Sequence, residues 1–186
     1  MNEKYAYLLG TFAGDGWFET RGIGLGTKDK IRAEFLSGLI KELFNKKPIV
    51  KLRKYKDGHE LYIIRFFSKA LEKRFREELG GVNQKKSKHF KVNLEIKNEV
   101  TLSRTFVKGL MDAEGYIYSW KGKPRFALEI YNIEAAEFIH KNFLRDGIKS
   151  SLSHRSNGGF RVETTGKNNI KILNFLYRLP GGKSQL

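Results

Sequence analysis

The sequence predicts an α+β fold made of two copies of an α-β-β-α-β-β-α unit. Three observations lead to this prediction: landmarks that return in the same order half a chain length apart, helical and strand periodicities that alternate alike in both halves, and a composition suited to a packed core. Hydrophobic residues make up 40% and aromatic residues 13% of the 186 residues, which indicates a globular chain rather than a disordered one.

The duplication is visible in matching landmarks. Asp15, in the sequence GDG, corresponds to Glu114, in the sequence AEG. The segment AEFL at 33–36 returns as AEFI at 136–139, and later matches keep the same order. Each match alone is weak, but a shared order with a nearly constant offset indicates an internal repeat.

The elements of the first half follow from periodicity, caps and turns. The apolar stripe of the second helix predicts its buried face. It consists of residues that recur every four positions, Ile31, Phe35, Leu39 and Leu43, broadened by Leu36, Ile40 and Phe44. In chain order we predict a helix at 5–15, a hairpin turning near Gly22, a helix at 30–45 with Asp29 as its N-cap, a hairpin turning at Asp57-Gly58, and a short helix opened by Ser68.

The second half repeats this order. We predict helices at 101–114, 133–145 and 167–178, with strands near 116–120, 124–131, 150–155 and 159–165. The resulting division is a first repeat at 1–80, a linker at 81–100 and a second repeat at 101–186. The basic run from Lys85 to Lys91 in the linker is either a solvated loop or a contact with nucleic-acid phosphates.

The chain is strongly basic, with a net charge of +16 and a pI of about 9.9. The excess of lysine and arginine is spread over both halves, so both halves are expected to face a polyanion, most simply nucleic acid. A protein that coats RNA and a merely highly charged surface are the alternatives.

The composition also indicates the cellular compartment in which the protein is expected. The chain has no cysteine, which excludes disulfides and thiolate metal sites and favours a reducing, cytoplasmic compartment. Its apolar runs are far shorter than the ~18 residues of a membrane span, and it opens with no leader pattern. We therefore expect neither a membrane partner nor export.

The first helix of each half carries small residues on one face. Gly10 and Gly14 lie four residues apart, and Gly109 and Ala113 have the same spacing. Small residues at this spacing let two helix backbones approach closely. We therefore expect these two helices to pack on each other across a pseudo-twofold axis, with their C-terminal ends side by side.

Each of these helices ends in a carboxylate followed by glycine, Asp15-Gly16 and Glu114-Gly115. We expect both glycines at the C′ position with positive φ. Because a helix C-terminus carries partial negative charge, two adjacent carboxylates there need a proton or a bound cation. Hard divalent cations such as Mg²⁺ prefer oxygen ligands, which on a basic chain predicts metal-dependent phosphodiester hydrolysis. For either acid alone, a surface helix cap is the alternative.

At these residues the chain resembles a known family. LLGTFAGDG at 8–16 and VKGLMDAEG at 107–115 resemble the two signature motifs of the LAGLIDADG homing endonucleases, in particular the compact two-repeat monomers of archaeal introns. The resemblance implies two four-stranded antiparallel sheets that form a saddle over the DNA major groove. It also implies Mg²⁺-dependent cutting of both strands of a long, asymmetric site across the minor groove, leaving short 3′ overhangs.

The resemblance also assigns site residues. Asp15 and Glu114 would be the catalytic metal ligands, with Gly14 and Ala113 beside them in the metal site. Mn²⁺ would be able to replace Mg²⁺, and Ca²⁺ would bind without turnover. Lys28, after the second strand, is the candidate for a supporting catalytic lysine, or else it contacts phosphate or solvent.

Two further lysines are secondary candidates for that supporting role, Lys121 and Lys123. The place that matches Thr27-Lys28 in the second half holds Tyr131-Asn132. The second half therefore lacks a lysine at the matching position.

Strand alternation separates a helix-facing side from a DNA-facing side. On the helix-facing side we expect Phe18, Ile23, Leu25, Val50, Leu52, Ile117, Phe126, Leu128 and Ile130. As DNA-contacting residues we expect Trp17, Glu19, Lys28, Lys51, Arg53, Tyr55, Arg65, Tyr116, Tyr118, Trp120, Lys121, Lys123, Arg125, Glu129, Asn132, Arg155, Arg161 and Glu163. Such a mixture offers donors and acceptors to base edges in the major groove.

The expected function is thus a site-specific double-strand endonuclease that binds duplex DNA as a monomer, without a protein partner. A regulator that binds nucleic acid without cutting is one alternative. An RNA maturase that assists intron splicing is another, since a maturase can retain both acids.

Overall fold

The computed structural model describes residues 1–81 and 89–177. In the first half the elements are helix α1 (Glu3–Asp15), strands β1 (Gly16–Glu19) and β2 (Gly22–Thr27), helix α2 (Lys30–Phe44), strands β3 (Ile49–Lys54) and β4 (Glu60–Phe67), and helix α3 (Lys69–Glu78). Asp29 and Ser68 cap α2 and α3 as predicted, because each side chain accepts hydrogen bonds from backbone N–H groups of the first helical turn.

The second half follows the same order after one short helix. Its elements are helices α4 (Leu94–Asn98) and α5 (Val100–Glu114), strands β5 (Gly115–Trp120) and β6 (Lys123–Ile130), helix α6 (Ile133–Arg145), strands β7 (Ser150–His154) and β8 (Phe160–Thr165), and helix α7 (Lys167–Tyr177). Residue 178, the predicted end of the last helix, lies outside the described residues. The α+β fold class and its duplicated order are confirmed. Among the helices described, none has the length and apolar character that crossing a membrane requires.

Each half forms one four-stranded antiparallel sheet, with strand order β1-β2-β4-β3 in the first and β5-β6-β8-β7 in the second. Leu25 of β2 pairs with Ile64 of β4, and at the corresponding place Leu128 of β6 pairs with Val162 of β8. All four side chains are buried, so this face of each sheet packs on the helices. The opposite face is exposed in both sheets and carries the candidate site.

The segment 81–100 is more than a loop. From residue 89 onward it contains α4, and Phe90, Val92 and Ile96 are buried in the core. These apolar side chains anchor the connection between the two halves, which the interpretation of this segment as a basic linker did not anticipate. Of the basic run from Lys85 to Lys91, residues 85–88 lie outside the described part of the chain.

The predicted buried face of α2 is partly wrong. Ile31 is 76% exposed and Phe35 is 53% exposed. The face that packs on the core consists of Ala33, Leu36, Leu39 and Ile40. At 3.6 residues per turn, a face centred on Leu36 places Ile31 and Phe35 outside it. The spacing of four indicated a helix, but it did not locate the centre of the buried stripe.

Candidate functional site

The centre of the molecule is a seam between helices α1 and α5. Every residue of α1 from Tyr5 to Ala13 is buried, as expected for a helix packed on several sides. A Cβ atom added to Gly10 would lie 2.1 Å from the Phe106 carbonyl oxygen, and one added to Gly109 would lie 2.1 Å from the Tyr7 carbonyl oxygen. Glycine is needed at both positions, which agrees with the predicted close packing of the two motif helices.

The seam brings the C-terminal ends of these helices together. A Cβ atom added to Gly14 would lie 2.5 Å from Ala113 Cβ and 2.9 Å from Glu114 Cγ. Asp15 and Glu114 are the last residues of α1 and α5. The two motif acids therefore leave adjacent helix ends.

Gly16 and Gly115 follow the two acids, but not in the predicted conformation. Their φ angles are −87° and −75°, and each begins a strand instead of a left-handed cap. Close approach is what requires glycine here. A Cβ atom would lie 2.2 Å from Phe12 Cδ2 at Gly16, and 2.4 Å from the Met111 carbonyl oxygen at Gly115. The chain thus passes from helix to strand directly at each acid.

Asp15 has a cationic neighbour that the sequence did not reveal. Arg32 Nη2, from α2, lies 3.4 Å from Asp15 Oδ2, and the two side chains are 20% and 29% exposed. Arg32 Nε and Nη2 are buried and make no hydrogen bond to the described residues, and the carboxyls of Asp15 and Asp112 supply nearby negative charge. In the second half the corresponding position, third after the N-cap of α6, holds Ala135. The arginine is therefore present on one side of the seam only.

A hydrogen bond also crosses the seam near the acids. The Tyr7 hydroxyl donates to Asp112 Oδ2 at 2.7 Å. Burial raises the pKa of the Asp112 carboxyl above its ordinary value, although Lys108 and Arg32 oppose the shift. Burial, followed by the nearby Asp112 charge, raises the pKa of the Tyr7 hydroxyl. The first motif has Ala13 where the second has Asp112, so the two motifs differ in charge at this position.

The oxygen atoms at the helix ends suit a hard divalent cation. Asp15 and Glu114 supply two carboxylates, and Gly14 and Ala113 supply backbone carbonyls in the last helical turns. Oxygen-only donors of this kind fit Mg²⁺, which usually retains several waters. The described residues contain no cluster of three or more His, Asp or Glu side chains that could hold a metal. A cation at the seam would therefore rely on the two acids, backbone carbonyls and water.

The exposed face of the first sheet is largely apolar. The Trp17 indole lies against Gly24 of β2, where an added Cβ atom would be 2.2 Å from Trp17 Cε2. Strand alternation and the register place Ile49, Leu61 and Ile63 on the same side. Because the glycines of β2 have no side chains, this face has a shallow trough. Its base consists of backbone atoms and apolar side chains.

Charged groups border that trough. Glu19 Oε1 accepts a hydrogen bond from Trp17 Nε1 at 2.9 Å and lies 3.0 Å from Arg65 Nε. Lys51 and Arg53 of β3 lie on the same face and are exposed. The rim is therefore basic, since the one acid among these residues is paired.

The exposed face of the second sheet is an ionic network. Glu163 is 9% exposed and accepts hydrogen bonds from Arg125 and Tyr118. Arg161 donates to Glu129 at 2.8 Å from Nε and lies 3.8 Å from Glu163 at its other end. Arg125, Arg161, Glu129 and Glu163 on this face each have a partner of opposite charge.

Aromatic side chains continue the second face. The Tyr116 hydroxyl donates to Glu129 Oε1 at 3.0 Å, and Arg155 Nε lies 3.6 Å from the same oxygen. The Trp120 ring lies 5.7 Å from the Arg125 guanidinium carbon. This surface is polar and aromatic, in contrast to the trough of the first sheet.

The registers place nearly all predicted DNA-facing residues on these two faces. The residues within strands are Trp17, Glu19, Lys51, Arg53 and Arg65 in the first sheet and Tyr116, Tyr118, Trp120, Lys123, Arg125, Glu129, Arg161 and Glu163 in the second. Lys28, Tyr55 and Arg155 continue the alternation just beyond strand ends. Contact between these residues and DNA remains a prediction.

The helix-facing residues also lie on the predicted side, but three of them are not covered. Val50, Leu52 and Ile117 are 39%, 42% and 65% exposed. They belong to β3 and β5, which are edge strands, and the helices cover the inner strands more fully. At a sheet edge, strand alternation therefore predicts which face a side chain lies on, but it does not predict whether that side chain is buried.

Comparison with known proteins agrees with this architecture. Residues 2–80 match the family model described as a LAGLIDADG-like domain, and the second half repeats the fold of the first. The first half of the chain is therefore similar in sequence to LAGLIDADG-like domains. A search of curated protein sequences finds no significant match.

Solved structures share the fold over nearly the whole chain. I-DmoI in complex with DNA and Mn is 20% identical, with 96% of this chain and 98% of that chain covered and a TM-score of 0.66. I-WcaI bound to its DNA recognition sequence is 14% identical, with 97% and 84% covered and a TM-score of 0.65. Full-length WhiA from Thermotoga maritima is 15% identical, with 98% and 56% covered and a TM-score of 0.67. I-DmoI structures with DNA also include Mg and Ca forms. At these identities the likeness establishes the fold.

The three candidate lysines lie in different places. Lys28 is exposed just beyond β2, at the end of the first sheet where β1 leaves Asp15. Lys121 and Lys123 lie at the far tip of the β5–β6 hairpin. At about 3.3 Å per residue they are roughly 20 Å from Glu114 along the strand. This separation favours Lys28 for the supporting role in catalysis, and that role remains a prediction for all three lysines.

Asn132, whose DNA contact remains a prediction, has a role in the fold. Asn132 is 7% exposed and caps α6, where its Oδ1 accepts a hydrogen bond from Ala135 N at 3.1 Å. Its Nδ2 donates to the Phe90 carbonyl oxygen. Both polar atoms of the Asn132 side chain therefore stabilise the fold. At this strand end, the exposed residue that corresponds to Lys28 is Tyr131.

Several site residues had no clear signal in the amino-acid sequence. Arg32 approaches Asp15 because of how α2 sits on α1, and no local pattern encodes that contact. The β4 run ELYIIRFF is apolar on both faces, so alternation alone cannot assign Leu61 and Ile63 to a side. The pairing of Ile63 with Lys51 is what places it on the exposed face.

Proposed function

We propose that this chain is a site-specific endonuclease of the homing type. It cuts both strands of a long, asymmetric duplex site by metal-dependent hydrolysis and leaves short 3′ overhangs. The observation that carries the proposal is the seam, where Gly10 and Gly109 allow the close packing that holds Asp15 and Glu114 at adjacent helix ends of a chain with net charge +16. The shared fold with I-DmoI and I-WcaI, both solved with DNA, supports it.

The residues at the helix ends would hold the divalent cation, Mg²⁺ or Mn²⁺. When bound, the cation supplies an activated water and stabilises the leaving oxygen of the phosphodiester. Asp15 and Glu114 would hold it, together with the Gly14 and Ala113 carbonyls. Ca²⁺ would occupy the site without turnover. Lys28, at the sheet end next to Asp15, stabilises negative charge on the phosphate.

The two exposed sheet faces would bind the duplex on either side of the seam. One chain supplies both faces, so a monomer covers an asymmetric site without a protein partner. Lysine and arginine on both halves neutralise backbone phosphates and release counterions, and binding therefore weakens steeply as salt rises.

A binding protein that does not cut is the second candidate. The fold of this chain also matches WhiA over 98% of its length, so the fold alone does not imply hydrolysis. The Arg32 charge 3.4 Å from Asp15 also competes with a cation for that carboxylate. An RNA maturase would use the same basic surfaces on a folded intron.

The test compares cutting and binding in matched variants. A pool of randomised duplexes is incubated with the protein in Mg²⁺ and in EDTA, and the ends produced are mapped by sequencing. Asp15→Asn and Glu114→Gln should each lower cutting of the recovered site by at least about a hundredfold, because each removes a metal ligand. Binding to the same site in Ca²⁺ should persist, since each substitution also removes a negative charge that repels phosphate. Glu34→Gln is the control, because Glu34 lies on the exposed surface of α2 beside Lys30.

Each outcome separates the candidates. Duplex binding by the wild type without Mg²⁺-dependent ends would support the non-cutting protein. Cutting at the wild-type rate by either acid variant would remove that acid from the metal site. Binding of intron RNA in clear preference to every duplex would support the maturase.

A further inference from the structure

The exposed faces of the two sheets can be compared position by position. Their strand orders and registers correspond, so each residue of one face has a counterpart on the other. Gly22, Gly24, Gly26, Ile63 and Ile49 of the first face correspond to Arg125, Ala127, Glu129, Arg161 and Ser151 of the second. At four of these five places, the second face has a side chain that is able to form hydrogen bonds and the first face has none; Arg125, Glu129 and Arg161 form such bonds within the face.

The first face has a groove shaped by this difference. The groove has a volume of about 240 Å³ and is lined by Ile49, Lys51, Leu52, Arg53, Ile63 and Arg65. Its apolar floor continues across β2, since a Cβ atom added to Gly26 would lie 3.4 Å from Leu61 and 3.5 Å from Trp17. The result is an apolar strip with a basic border.

The charge of the chain favours DNA as the occupant of this strip. Lys51 and Arg53 on the border are exposed, and Glu19 is paired with Arg65. A second copy of the chain would bring another net charge of +16 against it, whereas the phosphates that flank a DNA groove would be attracted. The apolar floor would then meet the base edges.

We infer, on the basis of the proposed function, that the first half reads thymine methyl groups in the major groove. Isoleucine neither donates nor accepts hydrogen bonds, so a base edge with only polar atoms would lose its bonds to water against this floor. Thymine is the base that presents a methyl group in the major groove. The half-site under the first sheet is therefore rich in A·T pairs, and the half-site under the second sheet is read through the hydrogen-bonding groups of Arg125, Arg161 and Glu129.

The experiment removes methyl groups from the DNA and apolar groups from the protein. Sites are first selected from randomised duplexes in Ca²⁺, and the affinity of a selected duplex is then measured with deoxyuridine in place of thymidine, one half-site at a time. The proteins compared are the wild type, Ile63→Ala, Ile49→Ala and the matched variant Arg161→Ala. Thermal melting of each variant checks that it folds, and the exposed edge position of Ile49 gives a second variant with little effect on the core.

The inference expects a specific coupling. Deoxyuridine in one half-site should weaken wild-type binding by about fourfold for each methyl group in contact with the floor. That sensitivity should shrink in Ile63→Ala or Ile49→Ala and persist in Arg161→Ala. If neither half-site is sensitive, or if the sensitivity survives both isoleucine variants, the inference is wrong while DNA binding stands. If no duplex is selected at all, the proposed function fails and the inference fails with it.

Discussion

The two halves of the molecule are alike where they meet and unlike where they face outward. At the seam, a Cβ atom on Gly10 or on Gly109 would lie the same 2.1 Å from a carbonyl oxygen of the other helix. On the exposed faces, Ile63 stands where the other half has Arg161. Where two helix backbones touch, only glycine fits, and so glycine occurs at the matching position of both helices. The exposed faces have no such mutual constraint, and each suits a different part of an asymmetric ligand.

The surroundings of the two motif acids lie between these extremes. Asp15 and Glu114 hold equivalent places at the helix ends. Arg32 lies beside the first acid, but the equivalent position in the second half is Ala135. The positions of the carboxylates are thus symmetric, whereas the charges around them are not.

The largest expected effect tests the symmetry of the seam. Gly10→Ala and Gly109→Ala should each lower the free energy of unfolding by about 3 kcal/mol, near the upper end for overpacking, because a backbone oxygen blocks the methyl group. Urea unfolding measures the loss. Gly38→Ala is the control, since no atom lies within 4 Å of its added Cβ, and alanine should stabilise that exposed helix by about 0.5–1 kcal/mol. A large loss at one seam glycine only would show that the halves do not meet symmetrically.

The next effect separates the two faces at one matched position. Glu163 of the second face and Arg65 of the first occupy equivalent places in the sheets. Glu163→Ala should cost about 2–3 kcal/mol, because it leaves the partly buried Arg125 guanidinium and Tyr118 hydroxyl without their acceptor. Arg65→Ala should cost less than about 1 kcal/mol, since its ion pair is 42% exposed on the arginine side. Urea unfolding measures both losses of stability. Equal losses for Glu163→Ala and Arg65→Ala would contradict the contrast between the ionic network of the second face and the apolar trough of the first.

The sequence was sufficient for those parts of the fold that rest on local chemistry. The repeat, the caps at Asp29 and Ser68, and the seam glycines all follow from patterns within one segment. The direct passage from helix to strand at Gly16 and Gly115 could not be predicted in this way. A left-handed C′ position and a close contact with Phe12 or Met111 both require glycine, so the residue type does not distinguish them. The angle φ distinguishes them, and that angle is set by the strand that follows.

The site could be predicted only in part, for the same physical reason. The placement of Asp15 and Glu114 at adjacent helix ends could be predicted because their helices carry matching small residues. Arg32, Asn132 and the apolar floor at Ile63 depend on distances between segments far apart in the chain. The Asn132 side chain donates a hydrogen bond to the Phe90 carbonyl oxygen. A contact between such distant segments produces no periodic pattern in the sequence.

A smaller effect tests the charge asymmetry around the acids. Arg32→Ala removes a cation that lies 3.4 Å from Asp15, so the apparent affinity for Ca²⁺ should rise by about fivefold, or about 1 kcal/mol. Calorimetric titration of the protein without DNA measures the change. Lys30→Ala is the control, because Lys30 is 69% exposed and pairs with Glu34 on the surface of the same helix. Unchanged or weaker Ca²⁺ binding by Arg32→Ala would mean that Arg32 orients the carboxylate more than it competes for it.

The smallest expected effect concerns the response of the second face to acid. Burial opposes ionisation of Glu129, but hydrogen bonds from Arg161 and Tyr116 outweigh it and lower the pKa of the Glu129 carboxyl below its ordinary value of 4.5. A carboxyl whose pKa is lower in the folded state contributes stability above its unfolded pKa, and this contribution is lost as pH falls through the folded pKa. The urea midpoint of the wild type should therefore fall between about pH 5 and pH 3, and Glu129→Gln should show a shallower fall because this proton uptake is absent. The same slope in both proteins would show that the network on the second face does not stabilise the ionised carboxylate, and the electrostatic part of the contrast between the two faces would be lost.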